Sequence, residues 1–236
     1  MLSILKKLRR NSAISGRFNG YFFYALGEII LIVIGILIAL QIDRWNDQSR
    51  ERSEAIAIYE SISQQIGEDR NKLAEAKAKN TFFSRAYERA NEIIELRDIA
   101  KADSLALFAM LLSQYSDFYR DDPIYNNLAV SGQLKLLKNK EITRNLQKLD
   151  LTYNTVNKSE AVHWDIIMQE LSPELRSVVN YNTMKPVKIE GLYAVELQNI
   201  FVESIYLTKI KDALYDQALT EIDSILMGIE GELELD

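Results

Sequence analysis

The feature that most constrains this fold is an apolar run from Tyr21 to Ile42, which reads YFFYALGEIILIVIGILIALQI. The run has a single charged side chain, Glu28, and its stretch from Ile29 to Leu40 has no polar side chain. A helix rises ~1.5 Å per residue, so ~20 residues cross the ~30 Å hydrocarbon core of a bilayer. The run therefore predicts a transmembrane helix over residues 21–42, because a buried core helix seldom stays apolar on every face.

A cleaved signal peptide is the main alternative for this run. Its apolar region would be about 7–15 residues long and would end in a small-x-small cleavage site. Here the apolar run is longer, and it closes with Ile38-Ala39-Leu40-Gln41-Ile42, without such a pair. The sequence therefore predicts an uncleaved signal anchor.

The charge is placed asymmetrically around the predicted span. Residues 1–20 have five basic and no acidic side chains, so they sum to +5. Because the whole chain has a formal charge of −6, residues 21–236 sum to −11. Positive flanks stay in the cytoplasm and attract anionic lipid, which predicts a cytoplasmic N-terminus pressed against the inner leaflet. An acidic body also argues against nucleic acid as a partner. The predicted lipid-facing basic residues are Lys6, Lys7, Arg9, Arg10 and Arg17.

Aromatic residues mark both ends of the span, as they do in many membrane helices. Tyr21 and Tyr24 are the predicted anchors at the inner interface, and Trp45 is the predicted anchor at the outer one. An acid-free, Arg-containing N-terminus also fits a mitochondrial presequence ahead of an inner-membrane helix. The residues alone leave that alternative open.

One face of the predicted span differs from the others. At ~100° per residue, Gly35 and Ala39 fall within ~20° of the direction of Glu28. An intramembrane carboxylate usually faces protein or water, and a small-xxx-small pair lets two helices approach closely. We interpret this face as a helix–helix interface, and we call it the stripe. Its residues are Glu28, Ile32, Gly35, Ala39 and Ile42. Alternatively, Glu28 is protonated or extends toward the cytoplasmic headgroups, and the small residues have no specific role.

The segment from Gly27 to Asn46 resembles a signature of a bacterial family. Its members, short single-span proteins of unknown function common in Bacteroidota and related bacteria, read G-E-I-x-L-x-x-I-G-I-L-I-A-L-Q-I-x-x-W-N after a short basic leader. The segment Ser131-Gly132-Gln133-Leu134-Lys135-Leu136-Leu137-Lys138-Asn139 is similar to their recurrent S-G-x-L-x-L-I-x-N element. The resemblance implies a bacterial inner membrane and a periplasmic domain, and it implies no activity.

Composition predicts helices for the remainder of the chain. Only nine Gly and three Pro occur in 236 residues, whereas sheets need turns that use these residues. The chain has no Cys, which excludes disulfides and thiolate metal sites. We expect an all-α protein in which the transmembrane helix continues into a stalk helix over residues 43–80. A helical periplasmic domain follows over residues 81–236.

Spacing and capping residues predict the helices of that domain. One helix is expected over residues 82–97, and a second is expected to be capped by Asp103 or Ser104. Asp122-Pro123 should open a short helix that Gly132 closes. A long helix is expected over residues 140–171, followed by another that Ser172-Pro173 caps.

The C-terminal part is predicted to be a loop followed by one long helix. Residues 181–194 read as the clearest loop, and residues 230–236 as a frayed acidic end. The last helix, over residues 195–229, should face a bundle core with Leu197, Ile200, Ser204, Leu207, Leu214, Ala218, Ile222 and Ile225.

No residue pattern in the chain predicts catalysis or metal binding. His163 is the only histidine, and a lone histidine beside Trp164 is interpreted as structural. Asp121-Asp122 precede a proline and read as a cap. The pairs Glu92/Glu95 and Glu232/Glu234 lack the loop of a calcium site, and Ser131-Gly132 lacks the G-x-S-x-G context of a hydrolase. We therefore predict no enzyme activity, no cofactor and no metal.

These observations favour an interaction protein. Its anchored helical domain would associate with itself or with another envelope protein. The first alternative is a periplasmic sensor or ligand-binding module on a single-span anchor. The second is a subunit of an ion-conducting or transport complex that uses Glu28.

Overall fold

The computed structural model of the protein describes residues 19–120 and 123–234, with side chains from Phe23 onward. The basic leader, the side chain of Tyr21 and the pair Asp121-Asp122 lie outside the described residues. The chain divides into two compact units, residues 1–54 and residues 55–236. We call the second the helical unit.

The described residues are almost entirely helical, which confirms the all-α fold class. Two two-residue strands pair antiparallel, with Val179 opposite Pro186. Three short helical turns cover Ile99–Lys101, Gln133–Leu136 (both 3₁₀) and Ile167–Leu171 (π). The elements are α1 (Asn19–Glu95), α2 (Ala102–Leu111), α3 (Ile124–Val130), α4 (Lys140–Ile166), α5 (Ser172–Val178), β1 (Val179–Asn180), β2 (Lys185–Pro186), α6 (Ile189–Leu192) and α7 (Val195–Leu233).

In the first unit, α1 is exposed at every residue from Phe23 to Arg50. This helix is long and apolar enough to cross a membrane, judged by its length and composition. The finding agrees with the predicted span.

Three long helices build the helical unit, and each has core residues at alternating spacings of three and four. In α4 these begin Ile142, Leu146, Leu149, Tyr153 and Val156. The same spacing runs through α1 from Ala55 to Ile94 and through α7 from Leu197 to Ile229. A 3–4 repeat keeps one narrow face of each helix toward its neighbours, as in coiled coils and bundles.

The buried apolar side chains form two separate clusters in the helical unit. The Phe201 cluster joins residues 83–94 of α1 to α2, the π turn, α5, α6 and the start of α7. The Ile222 cluster joins residues 55–76 of α1 to α3, α4 and the second half of α7. Ion pairs from Arg70 to Asp223, with nitrogen and oxygen 2.7 Å apart, and from Lys77 to Asp216 connect α1 with α7 along the Ile222 cluster.

The predicted break in the first helix near residue 80 was wrong. α1 runs without interruption to Glu95, so no separate helix begins at Phe82. Asn80 occupies a core position inside α1 and donates a hydrogen bond to the Thr208 carbonyl 2.7 Å away, so this polar residue does not require a turn. Residues 55–80, expected to form a free stalk, belong to the helical unit and contribute much of its Ile222 cluster.

Two predicted helix starts also need correction. α2 begins at Ala102, directly after a 3₁₀ turn, so Asp103 lies in the first turn and no side chain caps the helix. α5 does begin at Ser172, but no side chain caps it and no break precedes it, because the chain stays helical from Lys140 to Val178. Pro173 lacks an N–H and its ring clashes with a carbonyl in a regular helix. The π turn Ile167–Leu171 precedes it and accommodates that mismatch.

The ends of the remaining segments are closer to expectation. Gly132 has a left-handed φ of 73° and follows α3, as predicted. The expected loop over residues 181–194 contains β2 and the short α6. The expected frayed end was wrong for Glu230 to Leu233, which remain in α7, where Glu232 accepts a 2.9 Å hydrogen bond from Asn139.

Asn139 caps α4, and its loss should be measurable. Its side-chain oxygen accepts hydrogen bonds from the backbone N–H groups of Glu141 (3.0 Å) and Ile142 (3.3 Å). Asn139→Ala should lower the free energy of unfolding by about 1 kcal/mol, because it leaves these donors unpaired. Chemical unfolding followed by circular dichroism measures this. Asn139→Ser keeps the cap and should lose much less; an equal loss in both variants would contradict the capping role.

Candidate functional site

A layer of polar side chains lies between the two apolar clusters of the helical unit. In α1, Asn80 lies between the core residues of the Ile222 cluster (residues 55–76) and those of the Phe201 cluster (residues 83–94). In α4 and α7, buried polar residues likewise separate the positions that belong to the two clusters. Burying such groups is unfavourable unless they are paired. The members of this layer, which we call the polar layer, are at most 6% exposed: Asn80, Ser116, Glu160, His163, Ser204, Thr208 and Lys211.

The polar layer surrounds a non-helical segment that passes through the unit. The chain leaves α2 after Leu111, and residues 112–120, which we call the crossing segment, contain no regular helix after the turn at Leu112 and Ser113. Ser116 and Phe118 of this segment are buried. Buried backbone outside secondary structure must find hydrogen-bond partners elsewhere. Side chains of the three long helices supply them.

Each long helix contributes one such hydrogen bond. From α1, the Tyr87 hydroxyl donates to the Gln114 carbonyl at 2.8 Å. From α7, the Lys211 ammonium donates to the Ser116 carbonyl at 2.9 Å. From α4, the Glu160 carboxylate accepts from the Phe118 N–H at 2.8 Å. The crossing segment is therefore held by long-range side-chain contacts.

Lys211 and Glu160 are also connected through two hydroxyl groups. Lys211 Nζ donates to Ser116 Oγ at 2.8 Å, and Ser116 Oγ lies 3.3 Å from the Tyr215 hydroxyl. That hydroxyl donates to Glu160 Oε1 at 2.7 Å. Ser116 Oγ also lies 3.1 Å from Asn80 Oδ1, so its single proton is donated either to that oxygen or to the Tyr215 hydroxyl. When the proton is donated to Tyr215, a hydrogen-bonded chain joins the two buried charges.

Burial moves the pKa values of both charged groups toward neutrality. Burial raises the pKa of Glu160 to about 7, against the opposing effects of its hydrogen bonds from Tyr215 and Phe118 and of the Lys211 charge. Burial lowers the pKa of Lys211 to about 8, although Glu160 and Asp117 partly offset this. Desolvation is the dominant cause in each case. Both groups therefore carry charge together only over a narrow pH range.

His163 is the third ionisable residue of the polar layer. It is fully buried, with ring centroids 5.7 Å from Tyr115 and 6.4 Å from Tyr87. Among the described residues, neither of its ring nitrogens has a hydrogen-bond partner. Burial and the nearby Lys211 charge lower its pKa to about 3, so the ring is neutral at physiological pH. This environment agrees with the structural interpretation of the histidine.

A shallow groove runs along the outside of the crossing segment. Its volume is about 320 Å³, and it lies between α1 and residues 117–119. Within it, Lys79 pairs with Glu75 at 2.9 Å. The groove is open to solvent, and the charged atoms of Glu160 and Lys211 belong to the buried layer behind it. The full lining is Lys72, Glu75, Ala76, Lys79, Asp117, Phe118 and Tyr119.

The residues of the stripe lie elsewhere, on the exposed first part of α1. Glu28, Ile32 and Ala39 are exposed, as is Ile42, and a Cβ added at Gly35 would meet no atom within 4 Å. The anchors Tyr24 and Trp45 are 50% and 71% exposed. The described residues therefore place nothing against this face, and its role in association stays a prediction.

Glu92, Glu95 and Ser131, which were considered above for metal binding or hydrolysis, contact residues near them in the sequence. Among the described residues, no cluster of three or more His, Asp or Glu side chains could hold a metal ion. Glu92 pairs with Arg89 at 2.9 Å and Glu95 accepts from Asn91 at 2.7 Å. Ser131 donates to the Leu128 carbonyl at the end of α3.

Most of the polar layer was not predicted from the sequence, because only apolar residues were expected in the core. In α7, Leu207 and Leu214 were predicted to be core residues, whereas both are only half-buried. The core positions are Thr208, Lys211 and Tyr215, which continue the 3–4 spacing after Ser204. Strict spacing would have identified them. The same rule in α4 leads from Val156 to Glu160 and His163.

The chain matches a known protein family. The DUF6090 family, described as a family of unknown function, matches residues 28–186, about two thirds of the chain. The match begins at Glu28 and includes Ser116, Glu160 and His163, and it ends before α7. No curated protein and no solved structure matches the chain.

Proposed function

The chain belongs to DUF6090, a family of unknown function, and from its own residues we propose that it is a membrane-anchored helical assembly protein. In this proposal α1 crosses the bacterial inner membrane once, and the stripe packs against the same stripe of a second copy. The helical unit is periplasmic and the basic leader is cytoplasmic. The observation that carries the proposal is the complete exposure of α1 from Phe23 to Arg50.

Exposure of that length needs an apolar surrounding. A helix that is apolar on all faces is stable only in lipid or against other apolar surfaces. The described residues supply no such surface, so lipid covers most of the helix. A carboxyl group in lipid is costly, and a second helix that approaches at Gly35 and Ala39 relieves part of that cost through hydrogen bonding between helices. The five basic residues that precede the span support the orientation.

The proposed role is non-catalytic. The residues that combine acid, base and hydroxyl groups, Glu160, Lys211 and Ser116, are buried in the polar layer. Their contacts go to backbone groups of the crossing segment and to one another. These contacts support a structural use of the groups.

Cysteine crosslinking in native membranes tests the assembly proposal, because the chain has no cysteine of its own. Single variants Ile32→Cys, Gly35→Cys and Ala39→Cys should form disulfide-linked dimers on mild oxidation. Ile30→Cys and Leu37→Cys, about 160–180° around the helix, are matched controls and should not. Equal crosslinking of both sets, or none in either, would contradict a stripe interface. A product of another mass would identify a different envelope protein as the partner.

The same strategy tests the orientation. Thr183 is exposed in the turn between β1 and β2. Thr183→Cys should react with a membrane-impermeant maleimide in intact spheroplasts without lysis. Labelling only after lysis would place the helical unit in the cytoplasm and contradict this part of the proposal.

A sensor module is the second candidate function, and the polar layer is the observation that favours it. The buried Glu160–Lys211 pair can gain or lose protons when the pH changes, whereas an apolar bundle core has no group that titrates. The open groove beside the crossing segment does not enclose a ligand of small-molecule size. The sensor candidate therefore concerns the response of the polar layer itself.

A further inference from the structure

The crossing segment is the part of the helical unit least supported by regular structure. Backbone hydrogen bonds end with the turn at Ser113 and Gln114, and they resume at the start of α3. Between these points the described segment is held by side chains of the long helices and by Arg120. That arginine pairs with Asp150 and donates to Asn154 at 3.0 Å. Regions held by few cooperative bonds open at lower free energy than the helices around them.

Opening of this segment would bring the polar layer into contact with water. Ser116 and Phe118 contact the buried pair directly: the Phe118 N–H donates to Glu160, and Lys211 donates to the Ser116 carbonyl and hydroxyl. A buried carboxylate and a buried ammonium each have a large desolvation cost. Contact with water removes that cost. The charges therefore favour the open segment, while the packing of Phe118 against Tyr153, with ring centroids 4.9 Å apart, favours the closed one.

We propose that the crossing segment is a latch whose opening is coupled to proton binding by the buried Glu160–Lys211 pair. The inference goes beyond membrane assembly and does not depend on it. When Glu160 is charged and Lys211 is also charged, the latch opens most readily. When either group becomes neutral, the latch closes more tightly.

The direction of the coupling follows from the two ends of the equilibrium. In the closed latch the pKa of Glu160 is about 7, and in water it returns toward 4.5. Glu160 therefore loses its proton at a lower pH in the open state than in the closed state. Through Glu160, raising the pH from 6 to 7.5 favours opening. Proton linkage with these values makes the contribution of Glu160 alone about an eightfold increase in the opening constant, which the titrations of His163 and Lys211 partly oppose. Above pH 8, loss of the Lys211 charge acts in the opposite direction.

Other ionisable groups face the pair and contribute to the same equilibrium. Asp117 lies on the crossing segment, and Tyr215 lies one turn after Lys211 on α7. From α4, His163 faces Lys211, and from α1 Tyr87 contacts the His163 ring. Both tyrosines have pKa values raised by burial and stay neutral in the relevant range. His163 favours opening on acidification below pH 6.5, so a comparison between variants is required.

Hydrogen exchange of the full-length protein in lipid nanodiscs tests the latch. Exchange of peptides that cover residues 113–120 is measured at pH 6 and 7.5, and each rate is divided by the intrinsic rate at that pH. Glu160→Gln keeps the acceptor shape and removes the titration. The ratio of the wild-type opening constant to that of Glu160→Gln should increase about eightfold from pH 6 to 7.5. Peptides from the Ile222 cluster of α4 and α7 serve as internal controls and should show no such change.

Three outcomes would overturn the latch. The first is an unchanged wild-type-to-variant ratio between the two pH values. The second is protection of residues 113–120 equal to that of the α4 and α7 controls at each pH, because the segment would then open only with the whole unit. The third applies if Glu160→Gln fails to fold, in which case the pH dependence of Tyr215→Phe is compared with that of the wild type. Loss of its hydrogen bond to Glu160 should move the pH-dependent increase to higher pH, and an unmoved increase contradicts the proposal.

Discussion

Lys211→Ala should lower the free energy of unfolding by about 3–5 kcal/mol at pH 7.5. The substitution removes the ammonium that donates to the Ser116 carbonyl and hydroxyl. It also removes the positive charge that lowers the pKa of Glu160, so keeping this carboxyl group ionised in the buried layer becomes less favourable. Chemical unfolding monitored by circular dichroism in detergent micelles gives the loss directly.

A surface lysine on the same helix provides the matched control. Lys209 pairs with Glu88 at 3.1 Å and is largely exposed, so Lys209→Ala should change stability by less than about 1 kcal/mol. The double variant Lys211→Met with Glu160→Gln should recover part of the loss, because no unpaired charge remains. Losses of similar size in Lys211→Ala and Lys209→Ala would show that Lys211 does not hold the crossing segment.

His163→Phe should make the protein gain stability on acidification relative to the wild type. A histidine whose pKa is lowered from 6.5 to about 3 contributes stability above pH 6.5 that is lost as the pH falls toward 3. From pH 6.5 to 4.5 that loss is about 2–3 kcal/mol. Phenylalanine keeps an aromatic ring beside Tyr87 and Tyr115 and has no charge to bury.

Glu160 contributes with the opposite sign over the same range. Its raised pKa gives stability that is present below pH 4.5 and is lost as the pH rises through about 7. In the wild type the two contributions nearly cancel from pH 6.5 to 4.5. In His163→Phe only that of Glu160 remains, so the difference in stability between the variant and the wild type should increase by about 2–3 kcal/mol. The chain has no other histidine, so a constant difference would contradict this account.

The helical architecture could be predicted from the sequence because its signals are local. Few Gly and Pro residues and a clear start at Lys140 agree with the observed α4, which Asn139 caps. Gly132 follows the end of α3 with a left-handed φ, which glycine adopts easily because it has no Cβ. The residue type alone therefore predicts the end of the helix. Such features depend on neighbours within one helical turn.

The errors occurred where distant contacts decide the local structure. A break was expected near residue 80, yet Asn80 donates to the Thr208 carbonyl and is a core residue of α1. Ser172-Pro173 looks like a cap, yet the π turn absorbs the proline. The crossing segment has no sequence signal of its own, because its partners are Tyr87, Glu160 and Lys211 on three different helices.

The candidate site divides in the same way. The stripe could be recognised because its residues lie within one short helical segment, and its role as an interface stays a prediction. The polar layer was readable only by keeping a strict 3–4 spacing through Lys211 and Glu160. A charged residue in that register indicates a buried polar group rather than a solvent-facing one.

The polar layer also constrains the order in which the chain can acquire its structure. The first and last helices are neighbours: Arg70 contacts Asp223, which lies 153 residues later in the sequence. Lys211 and Tyr215 complete the hydrogen bonds of Ser116 and Glu160, and both belong to α7. During synthesis, Ser116 and Glu160 lack these partners, and the apolar faces that pack on α7 stay uncovered, until α7 has been made. Such late closure makes folding slow and makes an incomplete chain a target for chaperones and proteases.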